Sequence, residues 1–294
     1  MPEELKALDE LYSEAAEFAA GPPLPELLEF VRSAPRLGAY NAALVRIQRS
    51  GCTFVASAAE WRSKYSRDIV PGARPLVILW PFGPVRFVFD VSDTEGEPLP
   101  DGILNPFASA CPITEEGFSE LSRVLARAGV AYGESDDGPG NAGVISRLSP
   151  PRRESFGRDI VEQHYSIVIN RNLDVNAKLA TVMHELGHLF CGHLGPAADI
   201  QNAPDKGVPD RSGCTEEVRE FEAESVSWVL CGRLGVDTPS GRYLGNYLEN
   251  SGDLPDVSAE VIFRAVKRVE AILGDREELG PLLRDDVPRL FRSV

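Results

Sequence analysis

The stretch "TVMHELGHLFCGH", Thr181–His193, holds three of the four histidines in a chain of 294 residues. His184, Glu185 and His188 fit the pattern H-E-x-x-H. On an α-helix four residues advance about 400°, so the two imidazoles lie about 40° apart, one turn along, and can reach one metal ion. Glu185 flanks that ion without binding it, where it can take a proton from an activated water and pass it to a leaving amine. Leu179, Val182, Met183, Leu186, Leu189 and Phe190 give the helix a buried face. Two neutral imidazoles and a carboxylate in such surroundings need partners, and a metal supplies them. His193 does not extend the motif. The longer pattern H-E-x-x-H-x-x-G-x-x-H wants Gly at 191 and His at 194, where Cys191 and Leu194 stand. His193 therefore reads as a cation at the C-terminus of the helix.

A third ligand is needed, and "EEVREFEAESVSWVLCGRLG" (216–235) offers Glu220, Glu222 and Glu224. With Val218 at 0° on a helical wheel, Val229, Val226 and Leu230 fall at about 20°, 80° and 120°, and Phe221 at about 300°. Glu222, at about 40°, lies inside this apolar sector, while Glu220 and Glu224 point away at about 200° and 240°. A carboxylate in a buried stripe is costly unless it meets a cation, which makes Glu222 the expected ligand. Glu224 is then free to orient a histidine from behind. Zn²⁺ is the expected ion, although Mn²⁺ or Co²⁺ could use the same donors. His164, just before "YSIVIN", and Tyr243, after the glutamate helix, are the candidate donors to a transition-state oxyanion. Cys191 and Cys231 read as small apolar packing residues on the two helices.

Outside the site, length favours two domains. No apolar run reaches the ~18–20 residues that span a bilayer, so no membrane partner is expected. The opening "MPEELKALDELYSEAAEF" is acidic and helical in pattern, without the basic and apolar regions of a signal peptide, and a cytoplasmic location is expected. Five widely spaced cysteines (52, 111, 191, 214, 231) with no CxxC pair read as free thiols. The pattern predicts helices over 3–19 and 41–49, then strands in "CTFVAS", "RPLVILW" and "VRFVFDVS". An acidic, turn-rich linker follows at 92–102. A helix capped by Thr114 runs to Gly129, a loop covers 132–143, and a short strand precedes the histidine helix, which Asp174 or Asn176 caps.

The net charge of −15 is unevenly spread. Between Val31 and Phe89 nine Lys/Arg stand against two acids, a local +7. Arg46, Arg49, Arg62, Lys64, Arg67 and Arg74 are interleaved there with Trp61 and other aromatics. Cations that track phosphates beside rings that stack bases can hold a single strand without sequence preference.

Taken together, "HELGHLFCGH…REFEAESVSWVLCGRLGVD" resembles the metallopeptidase domain of ArdC-type antirestriction proteins and, more distantly, the ImmA/IrrE family of intracellular metallopeptidases. "YNAALVRIQRSG", Trp61, "VPGARPLVILWP" and "FVFDVSDTEG" resemble the single-stranded-DNA-binding domain that precedes the peptidase in ArdC. The resemblance spans roughly residues 35–245. It implies an α+β protein with an N-terminal single-stranded-DNA-binding-like module (1–108) and a zincin-like metallopeptidase domain (109–294) carrying the HExxH helix. It further implies His184 and His188 as zinc ligands, Glu185 as the base and a later glutamate matching Glu222. The expected function is a zinc metalloendopeptidase acting on a protein or peptide, with single-stranded DNA as a second partner and antirestriction or DNA protection as the setting. Two rivals remain open: a non-proteolytic DNA-binding antirestriction protein whose metal is structural, and an ImmA-like protease that cleaves a transcriptional repressor.

Overall fold

The computed structural model describes residues 23–80, 83–99, 113–136, 142–195, 203–236, 238, 244 and 255–274. The helix expected over 3–19, Phe82, Cys111 and Tyr243 lie outside the described residues. Within them the chain is a mixed α+β structure of seven α-helices and three small sheets.

The N-terminal portion begins with α1 (Leu24–Ser33) and α2 (Ala39–Gln48). Its first sheet is antiparallel, in the order β1 (Val55–Ala56), β4 (Gly83–Asp90), β3 (Leu76–Trp80). The three strand-like runs of the sequence supply these strands. Between β1 and β3 come α3 (Ala58–Tyr65) and β2 (Arg67–Ile69), which pairs with β5 (Thr94–Gly96). Ser57 and Glu60 close a reciprocal capping box on α3, a signal present in the sequence but not used above. The expected linker at 92–102 thus contributes a paired strand at its start. The edge of β3 is closed by side chains of α2. Asn41 exchanges hydrogen bonds with the Leu79 N–H and C=O at 3.0 Å each, and Gln48 does the same with Val77 at 2.9 and 2.8 Å. Two amides thereby occupy the backbone groups that an edge strand would otherwise offer to another chain.

The C-terminal portion is built on β6 (Val130–Ser135), β7 (Gly143–Phe156) and β8 (Asp159–Asn170), in the order β6-β8-β7. β8 pairs parallel with β6 and antiparallel with β7. Tyr165, Ile167 and Ile169 of β8 are fully buried. Two helices, α4 (Glu115–Arg127) and α5 (Val175–Phe190), pack on this sheet, and α6 (Glu216–Arg233) and α7 (Ala259–Leu273) pack in turn on α5. Thr114 caps α4, accepting the Gly117 N–H, and Asp174 caps α5, accepting the N–H groups of Asn176 and Ala177. The loop expected over 132–143 is strand β6 as far as Ser135.

One continuous apolar core runs from Leu24 to Leu273 and includes α1, α2, α5, α6 and α7. The fully buried Arg233 at the end of α6 forms an ion pair with Glu270 at 2.6 Å. Its guanidinium also donates to the carbonyls of Val31, Ala34 and Leu37, where α1 ends. The backbone groups left over at a helix terminus are satisfied here by a cation from the other half of the chain. Among the described residues, the apolar core is thus shared by the two portions.

Candidate metal centre

α5 and α6 lie against each other at close range, and the sequence says why. A Cβ built on Gly187 would stand 2.8 Å from Ala223 Cα and 2.9 Å from Ala223 O, so only glycine fits between His184 and His188 on this face. The approach brings three side chains together. His184 Nε2 and His188 Nε2 are 3.0 Å apart. Each is 3.4 Å from one oxygen of Glu220. Zinc bonds of ~2.0–2.1 Å in a tetrahedron place ligand atoms about 3.3 Å from one another, so these separations suit one ion.

The remaining nitrogens decide whether the group fits a cation. His184 Nδ1 faces Glu224 Oε2 at 2.9 Å, and His188 Nδ1 faces His193 Nδ1 at 3.0 Å. When both Nδ1 atoms donate, both Nε2 atoms present lone pairs to the same point as the Glu220 carboxylate. Three acceptors then converge without a proton among them, an arrangement a divalent cation resolves. Without the ion, His184 is the group of the three whose hold on a proton is strengthened. Burial lowers the His184 pKa, but its bonds to Glu220 and Glu224 reverse the shift and lift it to about 10. Burial and the charge on His184 push His188 down to about 4. The hydrogen bond from His184 holds Glu220 below the usual carboxylate range.

Glu185 sits on the neighbouring face and is 7% exposed. Its Oε2 accepts the Ile145 N–H of β7 at 2.9 Å. Burial raises its pKa, against the pull of His184 and the Ile145 amide. A carboxyl tuned upward beside a pair of imidazoles is the property a general base needs near neutral pH.

The structure places Glu222 elsewhere. It is wholly buried, as the wheel required, but its cation is Arg211. Arg211 donates to both carboxylate oxygens, His193 Nε2 lies 3.0 Å from Oε2, and the Ser258 N–H donates to Oε1 at 2.9 Å. Glu222 is thus a buried ion-pair partner, and the carboxylate that lies beside His184 and His188 is Glu220, not the expected Glu222. Cys191, His193 and Glu222 also lie within ligand reach of one another. This second group does not suit a metal: Arg211 already neutralises Glu222, and burial holds the Cys191 thiol far above its ordinary pKa. His193 does not merely cap the helix C-terminus: it is 5% exposed, because Gly192 (φ 84°) ends the helix and folds His193 back onto His188. Glu224 stands behind His184, where the sequence placed it. His164 is buried on β8, and its N–H donates to Gly129 O at 2.8 Å, while its imidazole is not joined to the histidine pair.

The basic residues are largely occupied. Arg46 pairs with Glu26 and lies over Phe30, and Arg49 pairs with Asp93 at 2.6 Å. Arg67 donates to Thr94 Oγ1 and to the carbonyls of Thr94, Gly96 and Glu97. Trp61 is fully buried, donates to Phe89 O at 2.9 Å and packs against Phe54 and Tyr65, so it has no face to offer a base. Arg62 and Lys64 are exposed, although paired with Asp68 and Glu60, and Arg74 is exposed. Leu79, Val85 and Phe87 form an exposed apolar group on β3 and β4.

An α+β frame with two imidazoles and a carboxylate converging from two helices defines a metallopeptidase-like site. Comparison agrees at that level: residues 144–224 match the Peptidase_M78 family, described as an IrrE N-terminal-like domain. The matched segment runs from β7 to Glu224 and includes every residue of the site described above. It supports the ImmA/IrrE side of the resemblance and leaves the ArdC assignment and the DNA-binding module without support. No curated protein and no solved structure matches the chain. No described helix is long and apolar enough to cross a membrane.

Proposed function

We propose that this protein is a zinc-dependent peptidase in which His184, His188 and Glu220 hold the ion and Glu185 is the base. The observation that carries the reading is the convergence of two Nε2 atoms and the Glu220 carboxylate, with the two Nδ1 atoms facing Glu224 and His193. When bound, zinc supplies Lewis acidity toward a peptide carbonyl and toward water. Glu185 supplies the proton traffic. The Ile145 amide fixes Oε2, leaving Oε1 to accept a proton from the attacking water and return it to the leaving nitrogen. The upward shift of its pKa lets the carboxyl hold that proton between the two steps. Glu185→Gln preserves size and the acceptor for Ile145 but removes the base. It should keep zinc while peptide cleavage falls by about 10²–10⁴-fold. Metal analysis with a peptide-cleavage assay checks this, and cleavage at the wild-type rate overturns it. The same assay separates the non-proteolytic rival, which predicts zinc binding but no cleavage by wild type, from a repressor-directed protease, which predicts one specific target.

A second reading, single-stranded DNA binding by the N-terminal portion, is favoured by the exposure of Phe87 beside Leu79 and Val85 and by the exposed Arg62, Lys64 and Arg74. An aromatic face for stacking near solvent-facing cations suits single strands. Binding should weaken with salt and fall on replacement of Phe87 and Arg74. Affinity indifferent to both would sink it.

A further inference from the structure

We infer that His193 is a positioning residue for His188, anchored from behind by Glu222 and Arg211; the inference rests on the metallopeptidase reading above. The argument is one of proton direction. Arg211 and the Ser258 N–H surround Glu222, which is wholly buried, so Glu222 is a carboxylate with only acceptors to offer. Its Oε2 therefore requires the proton on His193 Nε2, 3.0 Å away. With that proton on Nε2, His193 turns Nδ1 toward His188 Nδ1, 3.0 Å away, and in this tautomer Nδ1 accepts the His188 proton. This leaves His188 Nε2 bare on the side facing His184 Nε2 and Glu220. Each link follows from the last, and the direction is set at the Arg211 end.

The backbone holds the chain of groups in place. Gly192 adopts φ 84°, and a Cβ there would stand 1.9 Å from Pro209 O, so the turn is closed against the segment that leads to Arg211. The His193 N–H donates to His188 O at 3.0 Å, and the Arg211 N–H donates to Gly192 O at 3.0 Å. The turn, the arginine and the imidazole thus form one unit. Hydrogen-bond partners behind a ligating histidine fix its tautomer and ring orientation, and losing one typically costs 10–100-fold in metal affinity.

Two substitutions divide the two ends of His193. In His193→Asn the side-chain oxygen can stand where Nδ1 stands and accept from His188, while the link to Glu222 is lost. In His193→Gln the amide can stand where Nε2 stands and donate to Glu222, while the acceptor for His188 is lost. Zinc affinity is read on the full chain by competition with a chromogenic chelator, the visible spectrum of the Co²⁺ form reports ligand geometry, and thermal melting of the metal-free proteins reports folding. The expected result is that His193→Gln weakens zinc by about 10–100-fold and alters the Co²⁺ bands, while His193→Asn stays within a few-fold of wild type, at similar metal-free melting temperatures. Equal affinities for Gln and Asn overturn the positioning role, whether both resemble wild type or both are weak. A wild-type protein that binds neither zinc nor Co²⁺ overturns the metal reading itself, and the inference with it.

Discussion

His184, His188 and Glu220 stand at the rim of the α5–α6 contact, with Glu220 44% exposed, whereas Cys191, His193 and Glu222 lie within it, with Glu222 at 0%. Each group sets a histidine from α5, or from the turn that ends it, against a glutamate of α6, yet they call for different cations. The inner carboxylate has Arg211, a fixed charge from its own chain whose fork satisfies both oxygens. The rim carboxylate faces two imidazole nitrogens and solvent, where an ion and a substrate can arrive. What separates the two groups is access: one carboxylate is sealed against a fixed charge, the other is open to solvent.

That contrast can be broken at three points, in descending order of expected effect on stability. Arg211→Met leaves the buried Glu222 without its cation and should cost about 3–5 kcal/mol in denaturant unfolding. A loss below about 1 kcal/mol would mean that Glu222 is not an isolated buried charge. Gly187→Ala forces a methyl into the backbone of Ala223 and should cost about 1–3 kcal/mol by overpacking. It should also loosen zinc, because spreading the helices draws Glu220 from the histidines. Unchanged zinc affinity would show that the close helix contact does not set the rim geometry. Glu220→Gln should change the stability of the metal-free protein by less than about 1 kcal/mol, since the group is partly solvated. Zinc affinity should nevertheless drop strongly, as measured by chelator competition. If Glu222→Gln instead abolished binding while Glu220→Gln spared it, the roles assigned to the two carboxylates would be reversed.

The histidine helix was legible in the sequence because its chemistry is local. The spacing of His184 and His188, the Asp174 cap and the apolar face all lie within one element. The sequence argument for Glu222 rests on a sound premise, and the cation that meets it in the structure is Arg211. The wheel correctly buried it and correctly demanded a positive partner, but Arg211 lies in a loop whose path no periodicity reports. His193 is a related case: the motif spacing says only that it does not extend H-E-x-x-H, and the left-handed turn at Gly192 is what sends it back onto His188. The glycine was the available signal. Trp61 shows the same limit in the N-terminal portion, where alternating aromatics described a small interior as readily as a binding face. β6, β7 and the pairing of β5 with β2 depend on contacts distant in sequence and left little local trace.

Arg233 bears on how this molecule could be divided. Its guanidinium is spent on the carbonyls at the end of α1, some 200 residues earlier, and on Glu270. A fragment without α1 would keep the arginine and Glu270 but lose those acceptors, and is expected to melt below the full chain in thermal unfolding. The first helix is then a clamp on the end of the glutamate helix, supplied by the opposite end of the chain.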